Sequence, residues 1–148
     1  MKRPPELLFL YFLHLILSLN ALIGGGALLL DPQGSLMGLQ AEWLQQTPFD
    51  SYFIPGLLLF TLNGILPLFA LATLLFQPRW QWANRLNIYA DKYWAWTYSL
   101  FCGIIVVFWI TMQGLFTHYF WLQPVFLLIG LLIIIFTLMP RIQRYYSL

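Results

Sequence analysis

The sequence predicts an all-α membrane protein: an antiparallel four-helix transmembrane bundle with a short amphipathic helix in the outer loop. Three observations predict it. The first is composition. Of 148 residues, 61% are hydrophobic and 8% charged, whereas a soluble domain is roughly half apolar and a quarter charged. Too little polar surface is left to cover a water-soluble globule, so the surplus apolar surface must face lipid. The second is four apolar stretches, each near the roughly 20 residues that a spanning helix needs. The third is that all seven Lys and Arg residues fall on one side of a four-span arrangement.

The spans follow in order, within a single domain over residues 1–148. The first runs from about Leu7 to Leu30. Lys2 and Arg3 before it resemble a signal-peptide n-region. The apolar stretch, however, exceeds the usual length of about 7–15 residues, and no small-x-small cleavage site follows, so a retained anchor is expected. The second covers about Phe53 to Phe76, the third Trp94 to Leu115 and the fourth Tyr119 to Met139, with Pro140 as a helix stop. Between the first two spans, Asp31-Pro32 and Gly34 form a turn. Ser35 then caps a short helix through about Gln46, with Leu36, Leu39, Trp43 and Leu44 on one face, ended by Thr47-Pro48. That pattern suits a helix lying flat on the membrane.

Charge sets the orientation. Lys2, Arg3, Arg79, Arg85, Lys92, Arg141 and Arg144 share one side, while the first outer loop carries Asp31, Glu42 and Asp50 and no basic residue. The positive-inside rule then puts both termini in the cytoplasm. Trp80, Trp82, Tyr89, Tyr93, Trp94 and Trp96 flank the cytoplasmic loop, and Trp43, Tyr52, Tyr119 and Trp121 the outer side, as interfacial aromatic belts do. A net charge of +2 without a basic patch excludes nucleic acid as a partner. The single cysteine, Cys102, rules out an intrachain disulfide and reads as apolar packing.

Polar groups at membrane depth are the candidate functional residues. Asn20 lies ten residues before Leu30, and Asn63 ten residues after Phe53. Both are therefore about 15 Å deep, where they can hydrogen-bond to each other or line a pocket. Pro67, just beyond Asn63-Gly64, kinks the second span and frees a carbonyl. Gly24, Gly25, Gly26, Gly103 and Gly130 allow close helix approach. His14 and Ser18 share a helix face, but no carboxylate lies within any span to complete a triad. With no cluster of Cys, His or Glu, no metal site is expected. At the outer rim, Asp31, Asp50, Gln113, His118 and Gln123 gather, and Asp50 with His118 forms a pair suited to titration near neutral pH.

Gly-Gly-Gly-Ala-Leu-Leu-Leu-Asp-Pro-Gln-Gly at 24–34, Thr-Pro-Phe-Asp-Ser-Tyr-Phe-Ile-Pro-Gly at 47–56, Asn63-Gly64, Trp109-Ile-Thr-Met-Gln113 and Gln123 are distinctive. Across the whole chain they resemble a family of small bacterial four-span membrane proteins to which no activity is assigned. The resemblance implies the bacterial inner membrane. A looser likeness to small four-span DoxX-type proteins, some linked to quinones or redox partners, rests on architecture alone. The function expected is that of a non-enzymatic accessory or assembly subunit of a membrane complex, bound to other membrane subunits or to its own copies. The alternative is a binder or carrier of a lipid or quinone in a pocket near Asn20 and Asn63. No catalytic residue and no cofactor beyond such a bound lipid or quinone is expected.

Overall fold

The computed structural model describes residues 2–116 and 121–148, and all regular structure among them is helical. Helix α1 spans Pro5–Leu30, α2 Phe53–Phe76, α3 Trp94–Phe116, α4 Leu122–Thr137 and α5 Pro140–Tyr145. The first three are long and apolar enough to cross a membrane. The fourth, expected over 119–139, has sixteen helical residues. That is about 24 Å, short of a hydrocarbon core of about 30 Å.

Proline sets most of the helix ends. Pro5 opens α1 at its first turn, where no amide hydrogen is required. Asp31 precedes Pro32 and leaves the helical region, so α1 stops at Leu30. Gln77, in the left-handed conformation (φ 50°), caps α2 just before Pro78. Met139 turns extended ahead of Pro140, which separates α4 from α5. Pro140 therefore stops one helix and starts another.

Four helices pack around a common centre. α1 lies against α2 and α4, and α3 lies against α2 and α4, so α1 and α3 stand diagonally opposed. Glycines set two of the approaches. A Cβ on Gly25 would sit 2.6 Å from the Phe60 backbone nitrogen, and one on Gly130 would sit 2.5 Å from Val106 Cγ1. Gly103 faces the carbonyl of Gly130 across the same α3–α4 contact. Gly24 and Gly26 have more room, with nothing nearer than 3.6 and 3.8 Å.

The loop after α1 does not form the amphipathic helix expected over 35–46. It makes two short 3₁₀ turns, Ser35–Met37 and Ala41–Leu44. Gly38 lies between them at φ 67°, a left-handed step that ends the first turn. Capping falls to Asp31, whose carboxylate accepts from the backbone amides of Gln33 and Leu36 at 3.3 and 3.1 Å. Leu44, Leu28 and Tyr52 bury one another, with Leu39 and Phe49 against them, while Leu36 stays exposed. The Tyr52 hydroxyl donates to the carbonyl of Gln40 at 2.6 Å, and the same burial raises its pKa.

At the opposite end the N-terminal segment, the 77–93 loop and α5 are tied together. Arg3 donates to the Tyr145 hydroxyl and to the carbonyl of Leu75, and Arg141 pairs with Glu6 at 2.9 Å. The Tyr93 amide donates to Tyr146 O, and Lys92 bridges to Ser147. Ile142 and Tyr146 are buried, and the Tyr146 hydroxyl donates to the carbonyl of Leu74 at 2.9 Å.

The aromatic residues at this end divide into two groups. Trp80, Trp82 and Tyr89 are exposed, as a belt requires. Trp94 and Trp96 are not belt residues: they are 3% and 2% exposed. All of Trp94–Leu100 is buried, because α2, α4 and the turn Ala83–Leu86 pack on α3 and His14 reaches it from α1. A helix buried all round needs no polar face.

Candidate functional site

The interior polar groups form a chain across the bundle. His14 Nε2 on α1 lies 2.8 Å from Ser99 Oγ on α3, reaching between the two diagonal helices. Ser99 Oγ lies 2.8 Å from Thr137 Oγ1 at the end of α4. The Trp96 indole donates to the carbonyl of Thr137 at 2.8 Å. His14, Ser99 and Thr137 are fully buried. One helical turn from His14, Ser18 donates to the carbonyl of Gly64 on α2 at 2.8 Å. Two adjacent turns of α1 therefore bond α2 and α3 through side chains, and Ser99 and Trp96 carry the chain on to α4; each such bond is worth about 0.6–2 kcal/mol in this setting.

Chemically, His14 and Ser99 have the spacing of a base and a hydroxyl nucleophile. Two things keep them from acting as one. His14 Nδ1 has no partner among the described residues, so no carboxylate there orients the ring as in a triad. Ser99 and His14 are also sealed from any substrate by their complete burial. The pair works as a cross-bundle tie. The sequence pairs His14 with Ser18, but the fold assigns the two to different partners. Ser99, Thr137 and Trp96 were not anticipated. Their only signal is Thr137, an isolated hydroxyl within an apolar run.

The second feature is Asn63. It is 1% exposed, and neither its amide nitrogen nor its oxygen has a partner among the described residues. It lies in a π-helical segment, Leu59–Ile65, where the Leu66 amide reaches back to the carbonyl of Thr61. Pro67 has no amide hydrogen to give the Asn63 carbonyl, and a widened turn accommodates that loss without breaking the helix. An unpaired buried amide costs about 1–3 kcal/mol.

Asn20 does not meet Asn63. Ser18 and Leu22 both touch Gly64, so the two asparagines share a level. Asn20, however, is exposed on the outer side of α1 and donates to the carbonyl of Ile16 at 2.8 Å. Depth along the helix agrees, but rotation about its axis separates them.

The rim residues do not converge on one point. Asp31 is occupied with its own loop. Asp50 is exposed, Gln113 partly buried and Gln123 buried at 5%, and both glutamines have interactions of their own. His118, and with it the Asp50–His118 pair, lies outside the described residues. Among those residues, no three His, Cys, Asp or Glu side chains gather as a metal site would require.

No protein-family model, no curated protein and no solved structure matches this chain.

Proposed function

We propose that this chain is a four-span, antiparallel protein of the bacterial inner membrane with both termini in the cytoplasm. On this reading it serves as a non-enzymatic accessory or assembly subunit that docks laterally on another transmembrane helix. Three long apolar helices and a shorter fourth packed with them support the span count. The three segments bearing the basic residues meet at one end, as both termini inside would demand.

The observation that carries the docking reading is Asn20. Leu8, Phe12, Leu15, Leu19 and Ile23 make an exposed apolar stripe along α1, and Asn20 sits at its edge about 15 Å from the helix end. An amide is costly against lipid tails. A neighbouring transmembrane helix that hydrogen-bonds it removes that cost. The test compares wild type with Asn20→Leu in nanodiscs taken directly from native membranes. The wild type should run as a stable assembly, and Asn20→Leu should lose roughly tenfold of it with unchanged thermal stability. A wild type that is monomeric in both nanodiscs and mild detergent would sink the idea.

A second reading, a carrier of a lipophilic molecule such as a lipid or quinone, is favoured by the unpaired amide of Asn63 beside its π-helical turn. Photo-activatable quinone or fatty-acid probes should then label residues 59–67 and lose that labelling in Asn63→Leu. Labelling spread evenly over the lipid-facing surface would count against it.

A further inference from the structure

We propose that the end of the bundle bearing α5 and the 77–93 loop holds an anionic phospholipid, its phosphate beside Arg79 and an acyl chain along α2 and α3. This rests on the membrane-spanning reading above and is independent of whether α1 docks a partner.

A polar groove of about 460 Å³ opens there. Its walls include Gln77, Arg79, Gln81, Asn84, Trp80 and Tyr145, and no Asp or Glu lines it. The charged side chain on the rim is therefore a guanidinium, the group best matched to phosphate. The amides of Gln77, Gln81 and Asn84 add neutral donors. The Tyr145 hydroxyl is held at the groove wall by Arg3 at 3.3 Å and by the same Gln77 amide at 3.4 Å. α3 begins at Trp94, another lining residue, so the positive end of a 23-residue helix dipole lies at the same wall. Trp94 also carries a buried indole N–H with no acceptor among the described residues. Arg79, the three amide side chains and the helix end favour an acceptor-rich, negatively charged group, against which the terminal residue Leu148 is the one opposing member of the lining.

A second, wholly apolar groove of about 300 Å³ lies on the same side, lined by Leu66, Leu86, Tyr98, Phe101, Ile104 and Ile105. An aromatic stack joins the two. Phe69 sits 6.1 Å from the ring centre of Trp80, in the polar groove, and 6.1 Å from that of Tyr98, in the apolar one. A molecule with an anionic head and an apolar tail fits this polar-to-apolar sequence. A soluble phosphate would use only the first part of it.

Native mass spectrometry of the full chain in detergent, titrated with phosphatidylglycerol, phosphatidylcholine or inorganic phosphate, tests the assignment. Phosphatidylglycerol should give a one-to-one adduct that survives delipidation. Arg79→Gln should weaken it about fivefold, whereas Arg85→Gln, outside the groove, should not. Ile105→Ser in the apolar groove should lower lipid retention as well. Arg79 is exposed and holds no other element in place among the described residues, so its replacement should leave the fold intact. Equal binding of phosphatidylcholine, or no effect of Arg79→Gln, overturns the proposal. Displacement of the lipid by an equal concentration of inorganic phosphate, with Ile105→Ser silent, also overturns it and assigns the groove to a soluble anion.

Discussion

His14 Nε2 on α1 and Ser99 Oγ on α3 lie 2.8 Å apart, joining two helices that stand diagonally opposed in the bundle. Removing the imidazole and leaving a hole should destabilise the fold. Expect His14→Ala to lose about 2–3 kcal/mol, and His14→Leu, which fills most of the space and removes the unpaired Nδ1, about 1 kcal/mol or less. A double-mutant cycle of His14→Leu with Ser99→Ala should give a coupling of about 0.6–1.7 kcal/mol, read from reversible unfolding in mixed micelles.

Asn63 should behave in the opposite sense. Its amide is buried without partners, so Asn63→Leu, of similar volume, should raise stability by about 1 kcal/mol. The same unfolding assay checks it, and a loss of stability would show that the amide is hydrogen-bonded in the folded protein.

Two neighbouring glycines should separate cleanly. Gly25→Ala drives a methyl against the Phe60 backbone, which cannot step aside, and should cost about 1–3 kcal/mol. Gly26→Ala meets only the Phe60 ring edge at 3.8 Å and should stay within about 0.5 kcal/mol of wild type. Thermal unfolding of the two variants side by side decides this.

The 77–93 loop should loosen in alkali, because the Tyr93 hydroxyl closes it by donating to the carbonyl of Pro78. Burial pushes the Tyr93 phenol up to about 12, and raises Tyr146 as well. In the unfolded chain a phenol ionises near 10. The neutral Tyr93 therefore contributes its full stability below about pH 10, and that contribution is lost as pH climbs from there to about 12. Tyrosinate absorbance should show a late-titrating fraction, and Tyr93→Phe should flatten the decline in stability over that window.

Much of the helical plan is legible in the chain. Pro5, Pro32, Pro78 and Pro140 mark helix ends because proline restricts its own backbone and that of its predecessor. Gly25, Gly103 and Gly130 stand out as close-approach points for lack of a Cβ. The His14–Ser18 face follows from a spacing of one turn. The outer-loop helix misleads because its apolar residues have helical spacing, while Gly38 takes a left-handed conformation that no pattern of hydropathy reports. Trp94 and Trp96 mislead for a related reason: tryptophan beside a basic loop suggests an interface, and only the enclosing helices make that segment interior.

The sequence by itself determines that the chain is strongly apolar, with four stretches read as spans, and that the basic residues lie in three separated segments. Both are properties of local composition, readable one segment at a time. Only the tertiary structure decides how each helix is rotated about its own axis. That rotation sends Asn20 outward and Asn63 inward at the same level, gives His14 to Ser99 in place of Ser18, and folds α5 back onto the 77–93 loop. A helix repeats every 3.6 residues whatever surrounds it. Which of its sides becomes interior is set by the neighbours that pack on it.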